Sequence, residues 1–93
     1  MTITRINQFQ SAEGKSQALK VFLTSITSYI LGSEGCQSCE VLQQQSDDSC
    51  FVVIEKWDSI ESHQTSIANF PKDEMQAAMS LFAAPPKGDY YTA

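Results

Sequence analysis

Basic side chains are scarce in this sequence: six Lys and Arg stand against eleven Asp and Glu, for a net charge of -5, and they are scattered rather than gathered into a stripe. Such a surface repels phosphate backbones and anionic headgroups, so neither nucleic acid nor a membrane is an expected partner. Long apolar runs are missing as well. A stretch such as Phe51 to Ile54 is far too short to span a bilayer, and Arg5 and Asn7 stand where a signal peptide needs an apolar core. A cytoplasmic protein is expected. Cysteines number only three, Cys36, Cys39 and Cys50, and an odd count without an export signal points to reduced thiols, not a disulfide framework. Linkers, internal repeats and low-complexity segments are likewise missing, which leaves one compact unit over residues 1–93. A chain this short buries only about 60% of its unfolded surface, so a partner subunit becomes a candidate source of stability.

What is present is clear periodicity. Thr2 to Gln10 alternates, with Ile3, Arg5, Asn7 and Phe9 on one face of a strand. From Lys15 to Leu31 the apolar residues Ala18, Leu19, Phe22, Leu23, Ile26 and Ile30 recur at three- and four-residue steps, the stripe of an amphipathic helix that Gly32 and Gly35 stop. Ser38–Gln45 and Cys50–Trp57 read as two strands joined by the polar turn Ser46-Asp47-Asp48-Ser49. Asp58 or Ser59 caps a second helix that carries Ile60, His63, Ile67 and Phe70 on one side and breaks at Pro71. A third helical stretch runs from Asp73 to Phe82, Pro85-Pro86 ends it, and the tail from Asp89 to Thr92 supplies a last strand.

This order is that of a split βαβ, ferredoxin-like α+β fold: a four-stranded antiparallel sheet with helices on one face. The strands carry apolar residues on both faces, so something must cover the second. A second copy packed sheet to sheet about a twofold axis is the simplest cover, giving a homodimer.

The segment Glu34-Gly35-Cys36-Gln37-Ser38-Cys39-Glu40-Val41-Leu42, followed by Phe51-Val52-Val53-Ile54-Glu55-Lys56-Trp57-Asp58-Ser59, resembles the antibiotic biosynthesis monooxygenase family. Its members show a Pro-Gly-Cys-like turn, a Tyr-Glu-Val-Leu-like strand and a Glu-x-Trp-x-Ser signature opening the second helix. Ala12-Glu13-Gly14-Lys15 is similar to the family's Pro-Gly-Lys turn, and His63 sits six residues after Trp57, where many members carry His. Glu34 replaces the turn proline here, and Cys39 the usual tyrosine. The resemblance implies a dimeric α+β barrel with a pocket between each sheet and its helices. It also implies one of three fates: cofactor-independent oxygenation of polycyclic phenols or quinol-type compounds, haem degradation, or no known reaction. The haem-degrading members use an Asn, Trp and His set whose last two positions fall near Ser66 and around Gln76 and Ala77 in this chain. Only Asn7 matches, which disfavours haem.

Asn7 sets an amide beside the apolar Ile3 and Phe9, and a polar group there requires a partner, either a ligand or a neighbouring residue. In several family enzymes a strand-one Asn helps to bind substrate or oxygen. Trp57 is either a packing anchor at a strand end or a wall for an aromatic substrate. His63, the one histidine, titrates near neutral pH and could take a phenol proton; its bland reading is a hydrogen-bonded helix-face residue. Arg5 could stabilise a phenolate or pair with a carboxylate. Phe9, on the same strand face, and Phe22, in the first helix stripe, complete the candidate substrate-binding set. One of Tyr90 and Tyr91 could add a phenol. Cys36-Gln37-Ser38-Cys39, with Cys50 and His63, spells four zinc ligands by residue type, but side chains diverge along a strand and no metal is expected. The leading expectation is an oxygenase without metal or organic cofactor, acting on a small aromatic, phenolic or quinol compound. The alternative is a non-catalytic dimer that binds a small hydrophobic molecule.

Overall fold

Antiparallel pairing organises the whole chain in a computed structural model that describes residues 2–93. The elements run β1 (Ile3–Gln10), α1 (Ser16–Leu31), β2 (Cys36–Gln43), β3 (Cys50–Trp57), α2 (Ile60–Asn69), α3 (Lys72–Ala78), one 3-10 turn (Met79–Leu81) and β4 (Lys87–Tyr91). The sheet order is β2-β3-β1-β4, so β1 is central, flanked by β3 over its full length and by β4 over Thr4–Gln8. This is the ferredoxin-like α+β arrangement that the periodicity predicts.

Several boundaries shift for physical reasons. Strand β2 starts at Cys36 rather than Ser38, because a bulge between Cys36 and Ser38 extends its pairing as far as Trp57. The same bulge sets both Cys36 and Cys39 against the β3 residues of the helix side, Trp57 and Glu55. Helix α2 takes Ser59 as its cap, whose Oγ accepts from the Ser62 backbone N–H at 3.1 Å. Asp58 instead accepts from Ser62 Oγ at 2.6 Å and gives its own backbone N–H to Gly35. Gly35 has φ +88°, and a Cβ there would run into the Asp58 and Ser62 side chains, so the turn before β2 and the start of α2 are packed through a glycine.

The third helix ends at Ala78 and tightens into the 3-10 turn instead of continuing to Phe82. Tertiary pairing wins over local propensity there. Ala12 N–H donates to Leu81 O, Ala83 N–H donates to Gln10 O, and Phe82 leaves the helix to tilt against Phe9, with ring centroids 5.6 Å apart. Strand β4 begins at Lys87, two residues before the expected Asp89, because its pairing with β1 reaches Gln8.

All helices lie on one face of the sheet. Leu19 and Leu23 of α1 bury completely against Phe51 and Val53 of β3, with Phe9, Phe22 and Phe82 packed around them. The opposite face carries Ile6, Val52 and Ile54, with Leu42 45% and Tyr91 50% exposed at its edges. Among the described residues no helix is long and apolar enough to cross a membrane.

Candidate functional site

Between the helix-side face of the sheet and the helices is a cavity of about 600 Å³, within the range of small-molecule sites. Its walls are apolar and aromatic: Phe22 and Ile26 from α1, Val53 from β3, Phe70 after α2, and Phe82 beyond the 3-10 turn. Ile67, Met75 and Met79, otherwise unexplained exposed apolar residues, border the same space. One end is different. Arg5, Asn7, Glu55 and His63 meet there, brought together by register: Arg5 faces Glu55 across β1 and β3, and Asn7 faces Val53. All six residues singled out from the sequence, Arg5, Asn7, Phe9, Phe22, Trp57 and His63, line this one cavity.

Each polar side chain at that end has its own state. The guanidinium carbon of Arg5 lies 4.7 Å from the centre of the Tyr90 ring, a cation–π contact. Its Nε–H is buried with no partner among the described residues, a deficit of about 1–3 kcal/mol if nothing fills it. Asn7 makes no side-chain hydrogen bond within the described residues and is half-buried on the cavity surface. The two side chains lie side by side over Gly88 of β4, where any Cβ would collide with Asn7 Oδ1 and Arg5 Nη2. Glycine at this strand position is what leaves room for the pair.

His63 is only 3% exposed. Its Nδ1 lies 2.7 Å from the Tyr90 hydroxyl, and its ring meets Trp57 and Tyr90 edge-on. Burial, followed by the nearby Arg5 charge, pushes its pKa down to about 4, so the imidazole is neutral at neutral pH. Nε2 is 3.9 Å from Glu55 Oε1, too far for a hydrogen bond and, with a neutral ring, no ion pair. A carboxylate on that side favours the Nε2–H tautomer, which leaves Nδ1 to accept the proton of Tyr90. Trp57 has no exposed surface, and its indole N–H donates to Glu55 Oε1 at 2.9 Å. It backs Glu55 and His63 more than it offers an open face.

Glu55 is the buried acid of the cavity that sequence reasoning passed over as a site residue. Its signal is a carboxylate in the helix-side alternation Phe51, Val53, Glu55, Trp57, where every neighbour is apolar. At 4% exposure, burial raises its carboxyl pKa above the ordinary value, with the Trp57 hydrogen bond and Arg5 pulling the other way. Of the two tyrosines that the sequence offered as a phenol, the pairing of β4 with β1 sets Tyr90 opposite Arg5 on the helix side and Tyr91 on the other face.

The cysteines lie apart from this chemistry. All three are free thiols, and burial together with Glu55 pushes Cys39 up to about 11, so it stays protonated. No group of three or more His, Cys, Asp or Glu gathers in metal-binding geometry among the described residues.

The sequence model of the family described as antibiotic biosynthesis monooxygenase matches residues 2–80. No curated protein matches the sequence. Solved structures do match in shape. A Nitrosomonas europaea protein provisionally named an antibiotic biosynthesis monooxygenase superposes with a TM-score of 0.90 at 17% identity, over 99% of this chain and 89% of that one. A Pseudomonas aeruginosa protein gives 0.89 at 19% identity, over 99% and 93%. An asparagine-to-alanine variant of SnoaB, a cofactor-independent oxygenase from Streptomyces nogalater, gives 0.83 at 15% identity, over 99% and 92%. At these identities the likeness establishes a shared fold.

Proposed function

We propose, from the premise that this chain belongs to the antibiotic biosynthesis monooxygenase family, that it is an oxygenase working without metal or organic cofactor on a small phenolic or quinol-type aromatic. The observation that carries this reading is the cavity itself: apolar walls closing on one end where the Arg5 Nε–H and the Asn7 amide have no partners among the described residues. A planar aromatic fills the first part and a single oxygen answers the second. Once that oxygen ionises, Arg5 holds the anion, and an electron-rich phenolate or quinolate is the form that reacts with dioxygen. Asn7 orients the oxygen, Phe9 and Phe22 enclose the ring, Trp57 supports the polar end, and His63 orders it through Tyr90. The same relation between name and fold in SnoaB supports the cofactor-free assignment.

The test is turnover of anthrone-like phenols and catechol-type quinols by the purified protein. Asn7→Ala is expected to lower kcat/KM by a factor of about 10 or more, the cost of one lost hydrogen bond to a developing anion, and His63→Ala by a comparable factor. Turnover left intact in both variants would show that the assigned site is wrong.

A second expectation uses Gly88. In Gly88→Ala the new methyl group pushes the Asn7 and Arg5 side chains off their shared position. Affinity for 2-naphthol is expected to fall about tenfold, or ~1.4 kcal/mol, with little change in thermal midpoint; calorimetric titration reads the first and a melting curve the second. Unchanged affinity would mean that neither side chain holds the ligand.

The bare sheet face, with Ile6, Val52 and Ile54 flanked by exposed Leu42 and Tyr91, fits a second copy of the chain. Sedimentation at micromolar concentration is expected to give the mass of two chains, against 10.3 kDa for one.

A further inference from the structure

Glu55 is a buried acid that the reading above leaves idle, and its surroundings are unusual for a structural carboxylate. Its Oε1 accepts the indole N–H of Trp57, while Oε2 makes no hydrogen bond among the described residues and is left to the cavity. Arg5 sits directly opposite in the β1–β3 register, yet the two do not close into an ion pair within 4 Å among the described residues. A cation and a carboxylate thus flank the polar end of the cavity with a gap between them. An acidic X–H suits both at once: it can give its proton to the carboxylate side and then present a negative atom to the guanidinium side.

His63, the base expected from the sequence, is poorly placed for that step. In the Nε2–H tautomer that the nearby carboxylate favours, its Nδ1 lone pair is taken by Tyr90 at 2.7 Å and its Nε2 side faces Glu55. Asn7 Oδ1 accepts a hydrogen bond but is too weak a base to take a proton, so of the ionisable groups at this end the free Glu55 oxygen is the one left open.

We infer that Glu55 is the proton acceptor of the site, taking the O–H proton of a phenol whose oxygen lies between its Oε2 and the Arg5 guanidinium. The inference rests on the phenolic reading of the cavity. In this step the phenol O–H bond breaks, an O–H bond forms on Oε2, and the electron pair stays on the phenolic oxygen. Nothing is oxidised or reduced. The charge that Arg5 faces moves from the carboxylate to the ligand, so the buried end keeps one cation and one anion throughout, which avoids the large penalty of an unpaired buried charge. The groups facing Glu55 are consistent with a base: Arg5 from β1, neutral Cys36 and Cys39 from β2, Trp57 on its own strand, and neutral His63 from α2. Burial that holds its carboxyl above the ordinary range makes it a stronger base than a surface glutamate. His63 and Trp57 are then positioning residues for Glu55.

The experiment uses 4-nitrophenol, whose anion is coloured and whose neutral form is not, at a pH equal to its own solution pKa. Absorbance reports the ionisation of the bound probe. Calorimetry in two buffers of different ionisation enthalpy reports where the proton goes. In the wild-type protein the bound probe is expected to carry the phenolate colour with its proton retained by the protein. In Glu55→Gln the proton balance is expected to differ by about one per bound phenolate, released to the buffer. Equal proton balance in the two proteins overturns the inference, and so does a wild-type probe that stays neutral; if Glu55→Gln does not fold, the wild-type colour together with the wild-type proton balance decides the matter. A probe that fails to bind at all instead removes the phenolic reading and this inference with it, whereas binding with the proton in the buffer removes only this one.

Discussion

Replacing Trp57 by alanine is expected to destabilise the protein by about 3–5 kcal/mol, a large share of what a domain of this size has. The indole has no exposed surface, meets His63 edge-on with centroids 5.4 Å apart, and supplies the hydrogen bond to the buried Glu55 carboxyl. Alanine removes the packing and leaves Oε1 of an acid at 4% exposure without its donor. The conservative Trp57→Phe separates the two costs. It keeps most of the buried area and loses only the N–H, for about 1–3 kcal/mol. Urea unfolding followed by circular dichroism is the appropriate measurement, because Trp57 is the one tryptophan and fluorescence would lose its reporter. A loss under 1 kcal/mol in Trp57→Ala would mean that this end of the sheet is not packed as described.

Acid is expected to weaken the fold through His63. Its folded pKa of about 4 lies below the ordinary 6.5 because burial and Arg5 disfavour the charged ring. The unfolded chain therefore binds the proton more readily. The stability that the neutral ring contributes is complete above pH 6.5 and is lost as pH falls toward 4, a change of roughly 3 kcal/mol for this residue alone. Glu55 acts in the opposite sense. Its folded pKa is raised, so the folded state gains relative stability as pH falls through that value. The two residues share one site and offset one another, and single variants expose each. His63→Gln is expected to flatten the decline between pH 6.5 and 4, and Glu55→Gln to steepen it. Chemical denaturation at stepped pH reads both slopes. A wild-type and His63→Gln pair with parallel profiles would contradict the buried neutral histidine.

Much of the fold is legible because its signals are local. The alternation through Ile3, Arg5, Asn7 and Phe9 fixes both the strand and the face, and the stripe through Leu19 and Leu23 fixes α1. The misread ends share one cause. Phe82 leaves its helix to pack on Phe9, Lys87 joins a strand because Gln8 offers it a partner, and Cys36 pairs through a bulge. None of these partners is near in sequence, so no window along the chain contains the information. The candidate site divides in the same way. Asn7 and Arg5 stand out because polar residues on an apolar strand face demand an explanation. Glu55 is hidden by lying inside a signature, where it reads as pattern instead of as a buried acid. Gly88 is silent in the sequence, since its meaning comes from the two side chains of β1 that cross above it.

The central claim is that a phenolic ligand occupies the cavity between sheet and helices with its oxygen against Arg5 and Asn7. Amide and side-chain proton–nitrogen correlation NMR tests it directly, because the groups concerned carry their own signals. On titration with 2-naphthol, the largest shifts are expected at the Asn7 side-chain amide, the Arg5 Nε–H and the Trp57 indole N–H, together with the backbone of Phe22 and Phe70. Shifts gathered instead on Ile6, Val52, Ile54 and Leu42, with those three side-chain signals unmoved, would put the ligand on the opposite face of the sheet and contradict the account.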